Sequence, residues 1–95
     1  MATAITVSVS SVALGTSTAT LYTVPSGKRF IGSFIITINR GAAFVGGYTV
    51  ISGAGTAQSD SLLPLKAGTT IRIDPFSSTD GNYSALITGI EEDDV

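Results

Sequence analysis

Carboxylates are the first residues in this sequence that could do chemistry. Asp74 and Asp80 flank a short loop-like segment, and Glu91, Glu92, Asp93 and Asp94 run together near the end of the chain. Two carboxylates held close can divide general acid and general base work when their surroundings drive their proton affinities apart. Nothing in the sequence implies that Asp74 and Asp80 are buried together, so the expectation is a pair of solvated turn carboxylates. The acidic run could hold a cation or a basic partner. It reads more simply as a charged tail that solvates the end of the last strand. The chain has no His and no Cys. That removes disulfides, thiolate zinc sites, Cys nucleophiles and His relays from consideration.

Two glycine-rich stretches invite a phosphate-binding reading, and both fall short of it. "GAGTAQ", 53–58, starts like a dinucleotide fingerprint but lacks the third Gly and the helix pattern that would follow it. "GAAFVGGY", 41–48, has the P-loop spacing of its first Gly, but Gly47 stands where the phosphate-binding Lys is required. Asn82-Tyr83-Ser84 matches a glycosylation sequon, which means little without a secretory signal. Tyr22, Phe44, Tyr48, Phe76 and Tyr83 are the aromatic residues from which a carbohydrate-stacking surface could be built. Tyr22 and Tyr48 sit in strand patterns, where packing within the sheet is the ordinary role. Phe44 lies among Gly and Ala in an expected loop, so its ring is a candidate contact with a neighbouring chain.

The elements that must carry these residues are strands. Ser, Thr, Val, Ile and Gly dominate, Glu occurs only at Glu91 and Glu92, and the apolar period is two rather than 3.6. Ile5, Val7 and Val9 alternate with Thr6 and Ser8, and the phase then slips to Val12 and Leu14. A β-bulge or a break at Ser10-Ser11 accounts for the slip. A second strand is expected at 18–24. The strongest runs over 29–40, with Phe30, Phe34, Ile36 and Ile38 on one face and Gly32 leaving a gap in the same row for a large residue to fill. Residues 41–47 read as a loop, 48–52 as a strand, 53–60 as a polar connection and 61–65 as a short strand. Pro64 cannot donate to a ladder and places that strand at an edge. Strands at 69–74 and 83–90 follow, separated by a loop whose Asp80-Gly81 suits a tight turn. Seven to eight short strands with regular turn signals predict an all-β fold, an antiparallel β-sandwich or jelly roll.

The 95 residues allow one domain, expected over 1–90 with an acidic tail at 91–95. Such a chain builds one modest core, which binding to a partner would supplement. A net charge of −2, with five scattered basic residues, argues against nucleic acid as the main partner. "MATAITVSVSSVALG" lacks the basic flank of a secretory signal, and Phe30 to Ile38 is too short for a membrane helix, so the expectation is a soluble, unprocessed chain.

Val24-Pro25-Ser26-Gly27 reads as a turn, with Pro25 presetting φ at its second position and Gly27 at its fourth, joining "ATLYTV" to "RFIGSFIITI" as a hairpin. The phrase around it is more specific than a turn requires. Thr18, Thr20, Leu21, Tyr22, Thr23, Val24, Pro25, Gly27 and Lys28, followed by an apolar strand that ends in Asn39, resemble a phrase in small structural proteins of tailed bacteriophage virions. "LPLKAGTTIRI", 63–73, is similar to a second phrase of such proteins. Together the two cover roughly a third of the chain, and the Gly/Ala-rich 41–47 stretch departs from the more polar loop of the family.

The resemblance implies a non-enzymatic virion subunit, foremost a capsid decoration or cement protein on the head surface, made in the host cytoplasm. Its partners would be the major capsid protein or other virion proteins and further copies of itself. It implies no cofactor, metal, nucleic acid, membrane or small-molecule substrate. A tail or neck component, or a receptor- or glycan-binding β-module, is the alternative. The interface expected on this basis comprises Ile5, Val7 and Val9 of the first strand, which can add to a neighbour's sheet edge, with Phe44 and Phe76; Pro25 and Gly27 are turn residues.

Overall fold

In a computed structural model, which describes residues 2–13, 17–59, 61–75 and 81–93, the period-two segments become antiparallel strands, with no helix among the described residues. The strands are β1 (Thr3–Ala13), β2 (Ala19–Thr23), β3 (Lys28–Val45), β4 (Tyr48–Gln58), β5 (Leu63–Leu65), β6 (Thr70–Pro75) and β7 (Asn82–Asp93). They belong to one seven-stranded sheet ordered β1-β7-β3-β6-β2, with β4 and β5 both paired to β3.

The long strand β3 organises the molecule because both of its edges are used twice. Along one edge, residues 28–39 pair with β7 and residues 41–45 pair with β6. Along the other, residues 30–32 pair with β5 and residues 35–45 with β4. The sheet curls, so that Tyr22 of β2 meets Phe30 of β3, with ring centroids 5.0 Å apart and planes tilted by 54°. The Tyr22 hydroxyl also donates a hydrogen bond to Glu91 Oε2 of β7 at 2.5 Å. β2 and β6 thereby lie over the inner face of β3 and β7.

The core is the row expected from β3 and its counterparts on the facing strands. Phe30, Phe34, Ile36 and Ile38 are buried together with Ile71 and Ile73 of β6 and Tyr83, Ala85 and Ile87 of β7. Each large apolar side chain taken fully out of water contributes about 1.5–3 kcal/mol, and for a chain this size that row is the main source of stability. Two bulges keep apolar residues inward where the chain must bend. Val9 pairs with Ala85 but Val12 with Tyr83, so β1 carries one extra residue at Ser10-Ser11, and Ser11 adopts φ 51°. The slip read from the sequence is therefore a bulge, tied by the Ser11 N–H to Ser84 Oγ at 2.9 Å. The second lies at Arg40 (φ 63°), where the β3–β4 register shifts between Asn39 and Gly41. Even-numbered residues face the core before it, whereas Ala43 and Val45 do so after it.

Several expectations need correction. Residues 41–47 are not a loop: β3 continues through Val45, and Gly46-Gly47 alone form the tight connection to β4, with Gly46 at φ 62°. Residues 53–58 are not a polar connection but the second half of β4, since small Gly, Ala and Thr side chains can pair on β3 without a buried face of their own. The turn before β3 is real but closes one residue later, with the Lys28 N–H bonded to the Pro25 carbonyl at 3.2 Å. Gly27 is thus the third turn residue, and its φ of 78° is the left-handed value that position of a type II turn requires. Nor does the turn close a hairpin. β2 pairs with β6, and Val24 bonds to Gly68 and Thr69, so the turn hands the chain from one side of the curl to the other. The gap above Gly32 is filled by the ring of Phe30, two residues away on the same strand. Residues 91–93 are not a solvated tail but the last three residues of β7. Asp80 and the turn expected there lie outside the described residues.

Candidate interaction surfaces

The acidic residues that opened the chemical question are engaged structurally. Antiparallel pairing of β3 with β7 sets Lys28 opposite Asp93 and Arg29 opposite Glu92. Lys28 pairs with Asp93, and Arg29 Nε donates to Glu92 Oε1 at 2.6 Å. The hydrogen bond from Lys28 holds the Asp93 carboxyl below the usual carboxylate range. Glu91, next along β7, falls in the inward row and accepts the Tyr22 hydroxyl. Burial, then that hydrogen bond, then the carboxylate's charge push the Tyr22 phenol well above its ordinary value. Asp74 accepts a hydrogen bond from Thr18 Oγ1 at 2.8 Å and lies 3.5 Å from Arg72 Nε. Among the described residues, no three acidic side chains converge as a metal site would require.

The expected interface residues are placed as follows. Ile5, Val7 and Val9 turn their side chains inward, partly buried against the core. What β1 offers a partner is therefore its backbone: among the described residues it pairs with β7 on one edge and with nothing on the other. Phe44 is not a loop residue. It sits in β3 opposite Arg72 of β6, whose guanidinium lies 4.5 Å from the ring centroid, so the ring is half covered by its own sheet. Phe76 lies outside the described residues.

Sequence reasoning missed a concave feature among the described residues. Between the β3–β4 hairpin and β5 opens a cleft of about 640 Å³, walled by Phe34, Val45, Val50, Leu63 and Leu65, with Ser59, Lys66 and Thr69 adding polar groups. The volume matches that of ordinary ligand and side-chain pockets. Tyr48, at one side of the cleft, is 81% exposed, and Leu62, beside β5, is 67% exposed. A period-two reading of "SLLPL" identifies the inward residues Leu63 and Leu65. It gives no sign that the layer they should pack against stops short. On the outer face, Ile35 of β3 faces Leu86 of β7, and Ile31 faces Ile90. Ile35, Leu86 and Ile90 are all exposed, and the hydrogen-bonded Ser33–Thr88 pair lies between the two apolar pairs.

The arrangement suits association with other chains: strand edges that accept backbone hydrogen bonds, an apolar cleft, and a weakly polar outer face. Comparison with protein-family models, with curated proteins and with solved structures finds no match for this chain.

Proposed function

We propose that this protein is a non-enzymatic structural subunit of a tailed-bacteriophage virion, acting as a decoration or cement protein on the head surface. The observation that carries the proposal is the open apolar cleft flanked by β4 and β5, each paired among the described residues only with β3, on a chain whose "TATLYTVPSGK" phrase resembles that of small virion proteins. A sheet that leaves apolar walls and backbone groups uncovered gains stability when a partner covers them. In this role the partner is the major capsid protein. The nested strand pairs, β1 with β7 and β2 with β6 around β3, support a jelly-roll reading in which β2 and β6 form the second layer of a sandwich.

The test adds purified protein to capsids that lack it and measures co-sedimentation and heat resistance. Tyr48→Ser and Leu62→Ser alter exposed side chains, so they should spare the fold while weakening capsid binding. Failure to co-sediment, together with binding to tail or neck proteins, would move the assignment to those structures. The exposed Tyr48 ring favours one second reading, a glycan-stacking module. That reading requires saccharide binding that Tyr48→Ser abolishes.

A further inference from the structure

Among the described residues the strand edges left unpaired are not equivalent, and their differences select one of them as a self-pairing site. β5 is three residues long and carries Pro64. β2 is five residues long and its register shifts between Thr20 and Tyr22. β4 is long but interrupted, with two register shifts against β3 and positive φ at Gly53 and Gly55. β1 alone offers an unbroken run: residues 3–9 pair with residues 91–85 of β7 without a shift, and the bulge at Ser10-Ser11 ends the straight segment. This run has no charge and no proline. Lysine, proline, brevity and bulges are the usual devices that stop an edge from pairing with another chain, and residues 3–9 have none of them.

The same run is complementary to itself. When two copies are laid antiparallel about a two-fold axis at Thr6, Thr3 faces Val9, Ala4 faces Ser8, Ile5 faces Val7 and Thr6 faces Thr6. In antiparallel pairing, residues directly opposite share a face. Ile5 and Val7, each only partly buried within one chain, would meet Val7 and Ile5 of the second copy on the inner side, with Val9 against Thr3 at either end. Ala4, Thr6 and Ser8, exposed in one chain, would meet as pairs of small side chains on the outer side. Shifting by one residue sets inner against outer, and shifting by two shortens the overlap. We propose that β1 pairs with β1 of a second copy in this register, so that β7 and β1 of each chain join one continuous sheet. Such an isologous contact closes at two chains and does not propagate. The pairing does not depend on the virion assignment: two chains would form it in the absence of any capsid.

The absence of cysteine makes the test direct. Sedimentation velocity of the full chain should show a concentration-dependent dimer. Thr6→Cys should form an interchain disulfide under mild oxidation much faster than Ser52→Cys, an exposed control on β4. Ala4→Cys mixed with Ser8→Cys should cross-link to each other, and neither should do so alone. Thr6→Lys sets two ammonium groups face to face and should weaken the dimer about fivefold or more. Mixing it with Thr6→Glu should restore association. A chain that stays monomeric into the millimolar range overturns the proposal, as does an oligomer in which Thr6→Cys links no faster than the control. A monomer that still binds capsids would overturn the β1 pairing and leave the virion role standing.

Discussion

At the end of β3 where Lys28 and Phe30 lie, the side toward β2 and β7 is closed: Tyr22 covers Phe30, Glu91 accepts the phenol, and two ion pairs clamp β3 to β7. At the other end, near Val45, the β3–β4 hairpin runs on beyond its cover, Tyr48 is 81% exposed, and the cleft stands open to Leu63 and Leu65. One strand thus leads from a clamped end into a hairpin whose tip is exposed, although Ala42, Ala43 and Val45 just before that tip are buried. The difference teaches where stability and association reside. The closed end holds interactions whose loss should cost folding free energy, whereas the open end holds surface whose loss should cost binding.

The strongest way to break this contrast is to add a side chain at each end. Gly32 and Gly89 face each other beneath the Phe30 ring. A Cβ at Gly32 would lie 2.3 Å from the Thr88 carbonyl oxygen and 2.4 Å from Phe30 Cζ. Backbone cannot yield that much, so Gly32→Val should destabilise the fold by about 3 kcal/mol or more. At Gly47, in the open hairpin, an added Cβ meets nothing within 4 Å. Gly47→Ala should therefore shift stability by less than about 0.5 kcal/mol. Urea unfolding of the two variants measures both. Equal effects would show that the two ends are not differently constrained.

Removal of one oxygen at the closed end comes next. Tyr22→Phe keeps the ring on Phe30 but leaves Glu91 without its donor, at a cost of about 1–2 kcal/mol. Tyr48→Phe should cost nothing measurable. The raised phenol also fixes a pH dependence. A group whose folded proton affinity exceeds its unfolded one stabilises fully below the unfolded value, about 10 for Tyr, and that contribution is lost as pH rises beyond it. Stability should therefore fall above roughly pH 10 in the wild type and less steeply in Tyr22→Phe. Coincident alkaline limbs would sink that assignment. Gly27→Val should cost on the order of 1 kcal/mol, because its φ of 78° strains a β-branched residue even though the space around it is open.

The closed end was also the more legible in sequence, and the reason is local. Phe30 and Phe34, with Ile36 and Ile38 further along, announce their shared face by period two, and away from that end the slip after Val9 announces its bulge by a change of parity. The pairing of Lys28-Arg29 with Glu92-Asp93 was not legible, because it joins the turn before β3 to the far end of the chain. A basic pair and an acidic run of four were the only hint. Gly and Ala at 41–43 and 53–55 hid strands, because a strand stabilised by ladder hydrogen bonds on a neighbour need not contain apolar residues of its own. The partner of β2 was misjudged for a related reason: a turn fixes the reversal of the chain but not which strand lies beside it. The cleft is invisible in sequence because it is defined by cover that is missing, not by a pattern that is present.

The smallest expected effect lies in the ion pairs that seal the closed end. Lys28 donates to Asp93 and lowers the carboxyl's proton affinity in the folded chain. A depressed carboxylate contributes stability that is complete above its unfolded value, near 4 for Asp, and disappears as pH falls through the folded value. Both side chains are well exposed, so the contribution is small and open to salt. Thermal midpoints of the wild type and Asp93→Asn should differ slightly at neutral pH and converge as pH falls from about 5 to 2. The neutral-pH difference should shrink in about 1 M salt, where the screening length drops to about 3 Å. Because every other carboxylate is common to the two proteins, the difference isolates Asp93. Midpoints that stay parallel across the acid range would show that Asp93 gains nothing from its folded-state partners, and that the closed end is held by Tyr22, the Arg29–Glu92 pair and the Phe30–Gly32–Gly89 packing.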